Sequence, residues 1–382
     1  MRSYTQAYVI AARRTAIGRV GGLHRLRRVD QLAARAISAA LDDAKLSAGD
    51  VSAIVLGNAS EGGNPARLAG LAAGLPDTAS ALTLDRQCAS GLDAILAAIR
   101  MVAHDEAEIV AAGGAESLST APWRLSRPRS SLHPPRFLDA ESGPNIADLE
   151  AAEVLAAAAK IDRQQQDDYA ILARRAGAAA AQTGRLAREI AAFGEAPTDS
   201  RDEAPSNAGK MPEMQAFRDG ESTLTAANTS QPGDGAAFVI VASEAVWKRL
   251  GRPPALRLLA TAAVGARPGA EAAAPLEAVR ELRRRADSKN PLEADRFELN
   301  ESSAVQAIAF AKVLDIPAAK FNATGGALAS GRPFGAASAV LVVRLFSGLL
   351  LDGRSTAARC GLAVTGSLGG QGLAALFETL PP

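Results

Sequence analysis

The stretch that decides the reading of this chain is Leu84-Asp85-Arg86-Gln87-Cys88-Ala89-Ser90-Gly91-Leu92, followed by a long apolar helix pattern from Leu92 to Val102. It reads as an extended segment, a tight turn near Gly91, and then a helix. Cys88 therefore falls at or near a helix N-terminus, where unpaired N–H groups and the positive end of the helix dipole favour an anion. A thiol in such a place is expected to carry more thiolate, its reactive form. Cys88 is one of two cysteines in 382 residues, so the chain offers one plausible nucleophile.

Around this segment, strand-like apolar runs alternate with helix-like stretches. Ala7 to Ala12, Ser52 to Leu56 and Glu108 to Ala112 read as strands. Asp30 to Ala44 and Asn64 to Gly74 read as helices, the first with Leu32, Ala36, Ala39 and Ala40 on one side. Alternation of this kind predicts an α/β chain. The second half repeats the order of the first. Phe297-Glu298-Leu299 ends at Asn300-Glu301, as Ile54-Val55-Leu56 ends at Gly57-Asn58. Gly331 to Phe346 is a glycine turn and an apolar helix, like Cys88 to Val102. Leu362-Ala363-Val364 runs into Gly366-Ser367-Leu368-Gly369-Gly370, as Ile109-Val110-Ala111 runs into Gly113-Gly114. Two such halves predict a pseudo-twofold pair around a shared site. The division expected is an N-terminal half of residues 1–118 and 221–247, an inserted segment 119–220, and a C-terminal half 248–382. Within the insert, Trp123 to Pro144 and Phe193 to Gly220 read as loop. Ala147 to Gln182 reads as helix interrupted at Asp162.

Composition narrows the function classes. Hydrophobic residues make up 48% and aromatics only 4%, so the core is built mostly from Ala, Leu and Val. A formal net charge of +1 gives no whole-chain case for nucleic acid or an anionic membrane. Arg13-Arg14, Arg19, Arg25, Arg27 and Arg28 cluster near the start and read as a solvated loop. Two distant cysteines make neither a disulfide framework nor a metal site, and His24, His104 and His133 share no ligand-like spacing. No apolar run is expected to reach membrane-spanning length. Basic residues follow rather than precede the first apolar stretch, the wrong order for a secretory signal, which leaves a reduced, cytoplasmic setting as the expectation.

Four loops rich in small residues, each read as ending a strand, are expected to converge if the halves face each other. They are the Cys88 turn, Asn300 to Ala304, Gly325 to Pro333, and Gly366 to Gly372. Small residues let a thin ligand arm approach the backbone, and backbone N–H groups there can stabilise an oxyanion. A nucleophilic cysteine beside such a hole suggests acyl transfer through a thioester.

Five of these segments resemble the thiolase family, in the right order and across nearly the whole chain. Asp85 to Leu92 resembles its nucleophile motif, and Gly113-Gly114-Ala115-Glu116-Ser117-Leu118-Ser119 its Gly-Gly-x-Glu-Ser-Met-Ser segment. Leu224 to Gln231, with Asp234 to Ala237, resembles the stretch that touches coenzyme A. Leu299-Asn300-Glu301 resembles the Asn-Glu-Ala-Phe motif, and Asn322 to Gly335 the glycine loop containing Gly-His-Pro. The resemblance implies the layered α-β-α-β-α thiolase fold with an inserted loop domain. It also implies an acyl-Cys88 intermediate, Asn300 holding a water in an oxyanion hole, and Asn228, Ser230 and Glu301 contributing to coenzyme A binding. The implied substrate is a coenzyme A thioester, or a carrier-protein thioester, with no permanently bound cofactor. The family's pairing of subunits implies a homodimer or homotetramer.

The chain departs from the family pattern at four places. Arg332 stands where the family has the histidine of Gly-His-Pro. Gly366, with Ser367 beside it, stands where it has a second cysteine. Ser303 replaces an aromatic, and the loop between Trp123 and Asp148 is short. Arginine holds its proton and glycine has none to exchange, so neither position offers the usual base. Three readings stay open: an acyltransferase with altered acid–base chemistry, in which Arg332 supports the thiolate or an acidic substrate; a catalytically inactive thiolase-like binding or scaffold protein in which coenzyme A binding can remain; or an unmodified thiolase activity, which needs some other group to replace both acid–base residues. Cys360, upstream in the presumed strand, reads as a small buried hydrophobe.

Overall fold

Residues 7–14 are apolar up to the arginine pair and form the first strand, β1 (Ala7–Arg14), buried almost throughout. The structure, a computed structural model, describes residues 6–122, 146–194, 198–199, 211, 213–217, 222–267, 270–286, 289–351 and 357–380. After β1 come the short β2 (Gly18–Arg19), α1 (Val29–Ala44), β3 (Ala53–Gly57), α2 (Pro65–Ala72), β4 (Ser80–Leu84), α3 (Ser90–Ala103) and β5 (Ile109–Glu116). The middle of the chain supplies α4 (Ile146–Ala159) and α5 (Arg163–Gln182). The break between them is set by Asp162, whose carboxylate caps α5 by accepting from Gln165 N at 2.8 Å. β6 (Gly233–Ser243) and α6 (Glu244–Arg249) follow. The rest comprises β7 (Ala255–Gly265), α7 (Ala274–Arg285), β8 (Arg296–Asn300), α8 (Ala304–Val313), α9 (Gly326–Ser330), α10 (Phe334–Phe346), β9 (Cys360–Ser367) and β10 (Gln371–Leu380). Proline at the first turn of α2 and α7 sits where no helical N–H is needed.

The strands run in the order β4-β3-β5-β6-β1-β7-β10-β9-β8, with β2 beside β6. On the first side, β1, β6 and β5 are antiparallel neighbours, and β5, β3 and β4 are parallel. On the second, β7, β10 and β9 are antiparallel neighbours, and β9 and β8 are parallel. The order β1-β6-β5-β3 is matched by β7-β10-β9-β8, with β4 an additional edge strand on the first side, which is the internal repetition expected from the order of motifs. The sides meet through a short antiparallel contact, Tyr8 opposite Arg257 and Val9 opposite Leu256.

Burial divides into three apolar layers. Leu92, Ile95 and Ile99 of α3 and Val340, Val342 and Leu345 of α10 pack between the two sides, against Val55, Val110, Val239, Leu373 and Phe377. Outside the first side, Leu32, Ala36 and Ile37 of α1 cover Ile54, Phe238 and Ile240. Outside the second, Leu276 and Val279 of α7 and Phe310 of α8 cover Phe297, Val364 and Leu376. The result is the α-β-α-β-α arrangement expected.

Three readings of the sequence are corrected. An apolar helical run of spanning length does exist, Phe334–Leu351. It is 89% buried inside the protein, so its apolar character serves the central layer. Arg14 is not part of a solvated loop. It is fully buried on β1 and pairs with Glu189 at 2.8 Å and Asp199 at 2.7 Å, which ties the first strand to the inserted segment. Cys360 is only half-buried, and burial pushes its thiol pKa up. The segment Trp123 to Pro144, read as loop, lies outside the described residues, as does His133.

Candidate active site

Cys88 lies in a 3-10 turn, Gln87–Ala89, that runs directly into α3. The turn is held on both flanks. Asp85 Oδ1 accepts from Gln87 N at 2.8 Å; Ser90 Oγ accepts from Arg86 N and donates to Gln87 O, each at 2.7 Å. Gln87 adopts a left-handed backbone with φ of 51°, unusual for a residue with a side chain. Such strain persists where neighbours over-determine it, as these hydrogen bonds do. Cys88 itself is 3% exposed and packs with Ala59, Leu118 and Phe334.

The small pocket at Cys88 receives a residue from each of the four loops singled out: Cys88, Ser302, Arg332, and Gly366 with Ser367. The convergence follows from the repeated topology, which brings the ends of corresponding strands to one side. The loop at Gly325 does not end a strand, however; it follows a 3-10 turn, Ala318–Lys320, and contains α9. Arg332 is fixed through its backbone, donating to Gln231 O at 2.8 Å and accepting from Gly233 N at 3.2 Å. Its guanidinium carbon stands 5.5 Å from the centre of the Phe334 ring, a cation–π distance. Ser367 is 7% exposed, and its hydroxyl has no hydrogen-bond partner among the described residues.

Two further residues in the wall have no motif to announce them. Glu271 and Gln306 also line the pocket. Gln306 Nε2 donates to Ala272 O at 3.1 Å, and its Oε1 accepts from Ser302 N at 3.0 Å. One side chain thus holds the Glu271 turn against the Ser302 loop. Glu271 belongs to a surface-coded 3-10 turn before α7, and only the tertiary structure brings it to Cys88.

The remaining candidates stand behind the pocket. Asn300 is 3% exposed and donates to Thr365 Oγ1 at 3.1 Å; it lines a separate inner cavity with Ser330 and Arg344. Asn228 is fully buried and satisfied inside the protein, donating to Asp167 Oδ1 at 3.0 Å and accepting from Thr225 N at 2.8 Å. Glu301 is fully buried, accepting from Asn322 Nδ2 at 2.6 Å and Leu328 N at 3.4 Å; burial raises its pKa to about 7. In this conformation neither Asn228 nor Glu301 has a surface to offer a ligand. Both side chains act here as internal braces. Ser230, 3% exposed, is pinned to Ser302 O by its backbone N at 3.0 Å and its hydroxyl at 3.1 Å, one layer behind the wall.

Glu116, from the Gly-Gly segment, makes the corresponding brace in the first half. It accepts from Asn58 Nδ2 at 3.0 Å, Ala59 N at 3.1 Å, the Ser60 hydroxyl and Gly335 N at 2.8 Å. Burial raises its pKa to about 7. Neither described histidine reaches the pocket wall: His24 is buried against Ala16 O at 2.8 Å, and His104 closes the far end of α3. Among the described residues no group of His, Cys, Asp and Glu is placed to hold a metal ion.

Two family models cover the chain: "Thiolase, N-terminal domain" matches residues 7–245, and "Thiolase, C-terminal domain" matches residues 252–379. A Bacillus subtilis protein provisionally named acetyl-CoA C-acetyltransferase YhfS is 37% identical over 380 residues, covering 98% of this chain and 99% of that protein. Among solved structures, the acetyl-CoA acetyltransferase of Bacillus anthracis superposes with a TM-score of 0.89 at 28% identity, with 100% of both chains covered. Human mitochondrial 3-ketoacyl-CoA thiolase in complex with CoA gives a TM-score of 0.87 at 28% identity, with 98% of each chain covered.

Proposed function

The chain belongs to the thiolase family, and from that premise we propose that it is a thiolase-type acyltransferase that takes an acyl group from an acyl-CoA thioester onto Cys88, with acid–base chemistry altered from the family's. The observation that carries the proposal is the placement of Cys88 on a strained, tightly held turn in a pocket with Arg332, Ser302 and Ser367. A strained turn presents the sulfur in one orientation, and a cation beside a thiolate favours its ionised form. A hydroxyl donor without another partner suits a developing oxyanion.

The proposed change of chemistry rests on two positions. Arg332 and Gly366 occupy the places that the family gives to a histidine and a second cysteine, and neither offers a base. Losing one such group removes about 10²–10⁴ in rate, so condensation or thiolysis by the usual route is expected to be slow while acylation of Cys88 survives. Coenzyme A acts as part of the substrate in this reading, without a resident cofactor. Homodimeric or homotetrameric assembly and a cytoplasmic setting belong to the same proposal.

Mass spectrometry of the protein after incubation with acetyl-CoA tests it. An acetyl adduct on the wild type that disappears in Cys88→Ala supports the proposal. An adduct that persists in Cys88→Ala, or a wild type that forms none, rejects it. In the second case, coenzyme A binding without an adduct favours a catalytically inactive binding or scaffold protein.

A further inference from the structure

The Cys88 pocket contains a carboxylate that the family motifs do not supply. Among the described residues lining it, Glu271 is the one acid, and Cys88 and Arg332 are the other ionisable side chains. Glu271 Oε2 lies beneath the surface. Its turn is held from behind by Gln306 and leads into Pro275, which presses on Gly366: a Cβ placed on Gly366 would stand 3.2 Å from Pro275 Cγ. The segment 271–275 therefore fills the space beside Gly366 that a larger side chain at that position would use. Ser367, next in the strand, keeps a buried hydroxyl in the same pocket without a hydrogen-bond partner among the described residues. A buried polar group without a partner calls for one, and a ligand oxygen supplies it.

We infer that Glu271 is a catalytic residue, the proton carrier for acyl transfer at Cys88, and that Ser367 donates to the carbonyl oxygen of the thioester. The inference rests on the reading that Cys88 takes the acyl group. In the forward step the Glu271 carboxylate takes the Sγ proton. The Cys88 sulfur then bonds to the acyl carbon, and the bond from that carbon to the donor sulfur breaks. Glu271 returns the proton to the departing thiolate. One thiol and one thioester give one thioester and one thiol, with no oxidant or reductant. Transfer to an acceptor thiol is the same exchange in reverse. Carboxylates serve as general bases when held within reach of the proton they move, and the Gln306 clamp provides the holding.

Single-turnover acylation with acetyl-CoA, followed by mass spectrometry and by release of the coenzyme A thiol, tests the assignment across a pH series. Glu271→Gln is expected to slow formation of acetyl-Cys88 by about 10²–10⁴-fold and to remove the acidic limb of the wild-type profile. Glu271→Asp, which keeps the acid one methylene shorter, is expected to restore part of the rate and the limb. Acylation of Glu271→Gln within about threefold of wild type, or an unchanged acidic limb, overturns the role of Glu271 while leaving acyl-Cys88 intact. A wild type that forms no adduct overturns both.

Discussion

Glu116 Oε2 on β5 accepts a hydrogen bond from Gly335 N, 2.8 Å away at the start of α10, so a carboxylate of the first half holds the central helix of the second. The two segments run backbone to backbone here. A Cβ on Gly114 would lie 2.0 Å from Gly335 O, which no side chain tolerates without movement of the main chain. Gly114→Ala is therefore expected to cost about 1–3 kcal/mol and to displace α10 from the Cys88 turn. Urea denaturation checks the first effect and loss of Cys88 acylation the second. A variant with wild-type stability would show that the close approach is not needed.

If Arg332 and Gly366 stand in place of the family's histidine and second cysteine, as proposed, restoring those residues should restore the chemistry. The contact of 3.2 Å between a Cβ at 366 and Pro275 Cγ is tight, but a few tenths of an ångström of ring movement relieves it. Arg332→His combined with Gly366→Cys is expected to raise thiolysis of acetoacetyl-CoA by at least about 10²-fold over wild type, with each single change giving less. A folded double variant without that gain would place the block elsewhere in the site.

Glu116 and Glu301 give the stability a pH dependence. Both are raised to about 7 by burial, against the ordinary carboxyl value of 4.5. A raised value means that the folded state favours the protonated form. The stabilisation is complete below 4.5 and is lost as pH rises through about 7, by an order of 1–3 kcal/mol per group. Urea midpoints measured from pH 5 to 8 should fall, and Glu301→Gln should flatten the slope. A rise over the same range with the wild type would contradict the assignment.

Arg14 carries a different kind of stability. Its guanidinium sits between the buried carboxylates of Glu189 and Asp199, and Asp199 also accepts from Ile17 N at 2.7 Å. Arg14→Ala leaves two buried carboxylates without their cation and is expected to cost about 3–5 kcal/mol. Arg14→Lys, which lacks the planar fork, should recover only part of that loss. The change in urea midpoint measures both.

Much of this protein was legible in the sequence because its signals are local. Apolar runs of strand and helix period, ended by glycine and asparagine, marked most of the elements. Their repeated order marked the two matching halves. The four small-residue loops, expected to converge, bring Cys88, Ser302, Arg332, Gly366 and Ser367 to one wall. Where the sequence misled, the cause was burial, which no local pattern reports. Arg14 sits in an arginine-rich stretch, yet lies at 0% exposure because its acids arrive from residues 189 and 199. Likewise, the internal hydrogen bonds that hold the buried Asn228 and Glu301 come from distant residues and have no local signal.

By itself, then, the sequence determined the family, the α/β alternation and the repeated order of elements, and it singled out Cys88 as the candidate nucleophile, since each depends on residue order over short spans. Only the tertiary structure decided which side chains share space with Cys88. Glu271 reaches that pocket because Gln306 on α8 holds its turn through Ala272, 34 positions away, while also binding the nearby Ser302 loop, and spacing along the chain does not encode the longer contact.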